Sequence, residues 1–121
     1  LTPTRDFNYV EDTCRGFVEL SDCNEAIGET VNIGSNFEIS IGDTLDIIKE
    51  IMNSKVKFVT DHDRIRPENS EVFRLLCDNS KLHQLTGFKS NIDLRQGLKK
   101  TVDWFTQPKY LKQYKSDIYN V

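Results

Sequence analysis

The chain has 121 residues, with 16 Lys and Arg against 19 Asp and Glu and a net charge of −3. That length predicts one domain, and the acidic balance excludes a generic binder of nucleic-acid backbone, which would carry a basic excess. No apolar run approaches the ~18 residues that span a bilayer, so no membrane partner is expected. Counting Gly in place of Tyr, the apolar share is about 39% against ~45–50% in ordinary domains, which predicts a thin core.

In chain order, Thr4–Val10 reads as a short extended segment. A helix follows over about Val10–Asp22, because Val10, Cys14, Phe17 and Val18 recur at i, i+4, i+7 and i+8. Asn24–Gly28 is a turn, and Thr30-Val31-Asn32-Ile33 alternates as a strand ending at Gly34. Ser40 is placed to cap the next helix, with Asp43 three residues on. Ile41, Leu45, Ile48 and Met52 form its stripe, widened by Ile47 and Ile51, a pattern expected of a helix buried on more than one side. Val56–Val59 reads as a short strand, 61–70 as a polar loop, and Phe73, Leu75 and Cys77 as a third strand. Ser80 can cap a short helix that ends at Gly87, a C′ position suited to a left-handed residue. The last long helix runs from about Ile92 to Phe105, with Leu94, Leu98, Val102 and Phe105 inward, and Pro108 ends it. Helices and strands alternate, so the fold class is α/β, in a mixed α+β arrangement.

Leu1 is not Met and no signal-peptide pattern follows it, which predicts a chain cut from a longer one. Cys14 and Cys23 lie nine residues apart. On one helix, nine steps of about 100° put them on opposite faces, where they cannot bridge. No Asn-x-Ser/Thr acceptor occurs. Reduced thiols and a cytoplasmic setting follow as expectations. Cys14, on the apolar stripe, and Cys77, in a strand, are expected to be buried, and Cys23 accessible.

The sharpest local feature is Arg64-Ile65-Arg66-Pro67-Glu68-Asn69-Ser70-Glu71. Guanidinium forks take phosphate oxygens bidentately and a carboxylate accepts from ribose hydroxyls, so two arginines with acids close behind suit a nucleoside diphosphate. The plainer alternative is a solvated loop with weak surface ion pairs. Arg5-Asp6 reads either as a second phosphate contact or as a local salt bridge. Asp61-His62-Asp63 would need further ligands to hold a metal, and the only other histidine is His83; a solvated turn is the simpler reading. Lys109, Lys112 and Lys115 form a modest basic face in the tail. There is no Gly-x-Gly-x-x-Gly and no Gly-x-x-x-x-Gly-Lys-Ser/Thr, so the usual cofactor cradles are absent from this chain.

Several segments in order resemble the C-terminal part of the extended short-chain dehydrogenase/reductases that act on nucleotide sugars. They are Arg5-Asp6-Phe7-x-Tyr9-Val10-x-Asp12, Asn32-Ile33-Gly34, Arg66-Pro67, Asp78-x-Ser80-Lys81 with Leu85-x-Gly87-Phe88, and Gly97-Leu98-x-x-Thr101-Val102-x-Trp104-Phe105. The ending Tyr114-Lys115-x-Asp117-Ile118-Tyr119-Asn120-Val121, with Asn69-Ser70-Glu71-Val72, is similar to one subgroup. Those are NAD-dependent 4,6-dehydratases of UDP- or GDP-linked N-acetylglucosamine, in bacterial routes to legionaminic-acid-type sugars of the cell surface. UDP-sugar 4-epimerases are the nearest alternative.

The resemblance implies that residues 1–121 are a single incomplete domain, the nucleotide-sugar-binding lobe, with the Rossmann half absent. It implies Arg5 and Arg66 on the diphosphate. An acid shortly after the second arginine would hold the ribose; the loop here is about two residues longer than in many relatives, so that acid is Glu71, with Ser70 beside it, or Glu68. The family's glycine-rich NAD loop and Tyr-x-x-x-Lys pair are not in this chain. NAD is therefore expected in the parent enzyme and not on this chain, which carries no catalytic residue and no metal site. The implied partners are the nucleotide-sugar and the missing Rossmann half. The helix from Val10 and the segment Val31–Ile33 are expected to pack on that half, leaving apolar faces here that favour self-association. A reading of another class is a free-standing binding module; the reading frame upstream of Leu1 separates the two.

Overall fold

The computed structural model describes residues 1–59 and 72–113. A three-stranded mixed sheet is built on β1 (Thr4–Asp6), its middle strand. β2 (Glu38–Ser40) pairs antiparallel with it, Thr4 opposite Ser40, Arg5 opposite Ile39 and Asp6 opposite Glu38. β3 (Arg74–Leu75) pairs parallel on the other side, Thr4 with Arg74 and Arg5 with Leu75. Five helices complete the described chain: α1 (Val10–Ser21), α2 (Ile41–Ile51), α3 (Ser80–Thr86), α4 (Leu94–Phe105) and α5 (Pro108–Leu111), with one 3-10 turn at Asn24–Ala26. This is the mixed α/β class read from the pattern.

The helix ends follow their local chemistry. The Ser40 hydroxyl accepts from the Asp43 N–H at 3.0 Å and donates to the Asp43 carboxylate at 2.6 Å, so the expected cap of α2 forms. Gly87 ends α3 at φ +74, the left-handed conformation that a Cβ disfavours, and its N–H donates to the His83 carbonyl. Ser80 is not the cap of α3 but its first residue; the Asp78 carboxylate accepts the Ser80 N–H at 2.9 Å. α4 starts two residues later than the periodicity predicts, because Asp93 and Gln96 close a capping box there. Pro108 does not end α4, which stops at Phe105; it opens α5 at a position where its missing N–H costs nothing.

Two expected strands are absent. Thr30–Ile33 and Val56–Val59 are extended or irregular chain without ladder partners among the described residues, and alternation without a neighbouring strand is not enough to make a strand. The third is shorter than expected, with Phe73 and Cys77 outside it. Conversely β2 carries too few residues to show alternation, and it exists because β1 pairs with it.

The core is small. Among the described residues Leu82 and Phe88 are its buried apolar side chains, and the Arg15 guanidinium lies 4.4 Å over the Phe88 ring. No isoleucine of α2 is fully buried; its buried residue is Thr44, whose hydroxyl returns to the Ser40 carbonyl at 2.8 Å. Phe105 is exposed at the end of α4, against the inward position read for it. The α1 stripe faces solvent, with Val10 61%, Phe17 64% and Val18 61% exposed. Cys14 on that stripe is exposed, so its expected burial is not met in this chain: among the described residues nothing covers the stripe. Cys23 and Cys77 are half-buried.

Polar groups carry much of the long-range fastening. Asp12 is 1% exposed, and its carboxylate accepts from Arg15 at 2.8 Å, the Ser90 hydroxyl at 2.7 Å, and the N–H groups of Asn91 and Ile92 at 3.0 and 2.9 Å. Burial alone would push this carboxyl up; the four hydrogen bonds outweigh it and hold the pKa at about 2. Asp6 does similar work at the sheet, accepting from the Ser35 N–H and hydroxyl, the Asn36 N–H and the Cys77 N–H. That convergence brings Gly34 against Cys77 so closely that a Cβ on Gly34 would lie 2.4 Å from the Cys77 Cβ.

Candidate functional site

Arg5 occupies the middle of the middle strand. Residues directly opposite in a ladder share a face, so Arg5 stands beside Ile39 and Leu75 while Thr4 stands beside Arg74. The Arg5 Nη1 donates to the carbonyl oxygens of Thr4 at 2.7 Å and Val72 at 2.6 Å. In sequence, Val72 directly follows Glu71, at the end of the segment that carries Arg64 and Arg66. Asp6 accepts from Ser35, Asn36 and Cys77 and acts as a backbone latch.

Arg66, Ser70 and Glu71, together with Arg64, Glu68 and Asp61-His62-Asp63, lie outside the described residues, as do Lys115 and Tyr114–Val121. Of the four site residues read from the sequence, the structure therefore describes Arg5.

The opposite side of the sheet is fixed by a second ionic cluster. The Arg74 Nε lies 2.9 Å from both Glu38 carboxylate oxygens, and the Thr4 hydroxyl donates to the same group at 2.9 Å. The hydrogen bonds from Arg74 and then Thr4 hold the Glu38 carboxyl below its usual range. Residues 4, 38 and 74 are far apart in sequence, so only the pairing of the three strands reveals this set.

A cavity of about 590 Å³ lies next to Ile39, the residue opposite Arg5; Phe37, Ile47, Ile92, Leu94 and Arg95 are among its lining residues. They come from three separate stretches of chain, and no local motif signals the grouping. Arg95 on α4 is tied to Glu50 on α2 at 2.9 Å. Asp12, by holding Ser90, Asn91 and Ile92, fixes one wall of this cavity. Among the described residues no cluster of three or more His, Cys, Asp or Glu could hold a metal, and no helix is long and apolar enough to cross a membrane.

Residues 1–101 match the family described as GDP-mannose 4,6 dehydratase. This chain belongs to that family. It is 35% identical over 104 residues to GDP-L-fucose synthase 1 of Arabidopsis thaliana, covering 86% of this chain and 30% of that protein. Among solved structures, an epimerase from Methanothermobacter thermautotrophicus superposes with a TM-score of 0.81 at 32% identity, over 93% of this chain and 32% of that one. UDP-glucuronic acid 4-epimerase of Bacillus cereus, solved with UDP-glucuronic acid and NAD, gives 0.71 at 30% identity, over 93% and 33%. The fold is that of the C-terminal region of extended short-chain dehydrogenase/reductase epimerases and dehydratases. The chain spans about 30% of the length of the curated relatives it matches.

The residues of this chain do not fit NAD by themselves. The sequence holds no glycine-rich phosphate turn and no Tyr-x-x-x-Lys pair.

Proposed function

We propose that this chain is the nucleotide-sugar-binding lobe of an NAD-dependent sugar-nucleotide enzyme, with a 4,6-dehydratase of UDP- or GDP-N-acetylglucosamine as the first reading. The observation that carries it is the bond from Arg5, on the central strand, to Val72, the residue that follows Arg64–Glu71 in sequence. Family membership supports the substrate class, and the Asn69-Ser70-Glu71-Val72 stretch with the Tyr114–Val121 ending supports the subgroup.

In this reading Arg5 and Arg66 hold the diphosphate, and Glu71 with Ser70, or Glu68, holds the ribose. A guanidinium fork matches two phosphate oxygens, and each charge-assisted hydrogen bond is stronger than its neutral counterpart. These contacts orient the nucleotide and leave the sugar to be worked on elsewhere. The chain alone binds weakly and catalyses no dehydration or redox chemistry. Its missing partner is the Rossmann half; free of that half it self-associates through the α1 face, and its setting is the cytoplasm.

The second reading is a UDP-sugar 4-epimerase, favoured by the epimerase that superposes at a TM-score of 0.81. Incubating the complete polypeptide with UDP- and GDP-N-acetylhexosamines separates them. A 4-keto-6-deoxy product supports the dehydratase, and a C4 epimer without loss of water supports the epimerase. Neither product, with no nucleotide-sugar binding, contradicts both and leaves the free-standing module.

A further inference from the structure

The walls of the cavity beside Ile39 are held from behind. Asp12 accepts from Ser90, Asn91 and Ile92, Asp6 accepts from Ser35, and Asp93 and Gln96 close the capping box that starts α4. A concavity that is already fixed needs little ordering when a ligand enters. Its apolar lining includes Ile39, Ile92 and Leu94, and the Phe37 ring beside them is 55% exposed. Its polar lining keeps hydrogen-bonding capacity. The Asp93 Oδ1 accepts the Gln96 N–H at 2.8 Å, whereas Asp93 Oδ2 and the Asn91 side-chain amide have no partner among the described residues.

Such a lining suits a planar heterocycle. An aromatic ring and branched side chains take the faces of a nucleobase, while a carboxylate and an amide meet its edge. The carboxylate discriminates among bases. Guanine presents two adjacent donors, N1–H and the N2 amino group, and one carboxylate accepts from both. Uracil presents one donor, N3–H, between two carbonyl oxygens that a carboxylate repels. Adenine presents an amino group beside a bare ring acceptor. The position fits as well. Ile39 and Arg5 share a face of the sheet; the Arg5 Nη1 reaches the Val72 carbonyl on the β3 side, and the cavity lies on the β2 side. The two points are about two strand spacings apart, roughly 10 Å, which a ribose and its phosphates span.

We propose that this cavity receives the base of the nucleotide-sugar and selects guanine, with Phe37 stacking on the ring and Asp93 accepting from N1–H and the N2 amino group. Asp93 then combines two roles: it caps α4 through the Gln96 N–H and offers its remaining lone pairs to the base. The proposal rests on the reading of this chain as a nucleotide-sugar-binding lobe, and it names the base and the residues that choose it.

Calorimetric titration of the complete polypeptide with GDP, UDP and ADP tests it. GDP is expected to bind at least about tenfold more tightly than the other two. Asp93→Asn keeps a good helix cap but exchanges one acceptor for a donor, and it should bring GDP down to the level of UDP without changing the unfolding temperature. Phe37→Ala, at an exposed ring, should weaken GDP at least about fivefold. Equal or tighter binding of UDP overturns the proposal, as does a GDP preference that survives Asp93→Asn. Should Asp93→Asn lower the unfolding temperature, Phe37→Ala decides alone, and unchanged GDP affinity overturns the proposal. Failure of the underlying reading has a different signature. If none of the three nucleotides binds, the nucleotide-sugar lobe is rejected and the base site with it. If UDP is preferred and Arg66→Ala weakens it, only the base site is rejected.

Discussion

The Arg5 guanidinium donates to the carbonyl oxygen of Val72 at 2.6 Å, across 67 residues of sequence. The contact ties the middle strand to Val72, the residue that follows Glu71 in sequence. Arg5→Ala is expected to cost about 1.5–3 kcal/mol of stability, the range for a hydrogen bond with a charged donor. Denaturant unfolding measures it; an unchanged midpoint would mean that the contact carries no weight.

Asp12 should behave as a structural carboxylate. Its folded pKa of about 2 lies below the ordinary 3.8, so its contribution is complete above pH ~3.8 and is lost as pH falls through ~2. Asp12→Ala leaves the Ser90 hydroxyl and two backbone N–H groups without their acceptor, while Arg15 keeps Glu19, and should destabilise by about 1–3 kcal/mol. Between pH 4 and 2 the wild-type chain should lose stability more steeply than Asp12→Ala. Parallel acid titrations for the two would contradict the assignment.

The thiols should label in the order Cys14, Cys23, Cys77. Cys14 is exposed on α1, and Cys23 is half-buried with its thiol 3.6 Å from the Leu85 carbonyl. Burial, with the nearby Asp6 and Asp78 charges, pushes the Cys77 thiol up, so less of it is the reactive thiolate at neutral pH. Mass-resolved labelling at pH 7 and 9 tests the order. Cys77 reacting ahead of Cys14 would mean that Gly34 and Cys77 are not packed as described.

Gly34→Ala should be strongly destabilising, since the new Cβ would lie 2.4 Å from the Cys77 Cβ and 3.2 Å from the Asp6 carboxylate. Overpacking of this kind costs about 1–3 kcal/mol. Pairing it with Cys77→Gly removes the opposing Cβ and should recover part of the loss. No recovery in the double variant would place the cost elsewhere.

The elements that were legible in the sequence are those fixed by local chemistry. α1 and α2 appear in their apolar periods, and Ser40 and Gly87 mark helix ends through a hydroxyl acceptor and a freely left-handed backbone. What stayed hidden depends on distant chain. Glu38–Ser40 is a strand because β1 lies beside it, while Thr30–Ile33 has the strand alternation and no neighbour to pair with. Burial was misjudged for Cys14 for the same reason, because a stripe predicts an apolar contact without saying which polypeptide provides it. The candidate site residues were read from residue types and motif position, and of them Arg5 lies among the described residues, on the middle strand; the Glu38–Arg74–Thr4 cluster and the cavity wall held by Asp12 needed the fold.

The proposed function places the diphosphate of a nucleotide-sugar on Arg5 and Arg66. Steady-state kinetics of the complete polypeptide carrying Arg66→Ala, with Arg64→Ala as the neighbouring-charge control, test it most directly. Arg66→Ala should raise the Michaelis constant at least about tenfold, equivalent to ~1.4 kcal/mol, and change kcat much less, because the contact is to the diphosphate and not to the reacting carbons. The effect should shrink as salt screens the ionic contact. An unchanged Michaelis constant in both variants, or a rise with Arg64→Ala alone, would contradict the phosphate site assigned to Arg66.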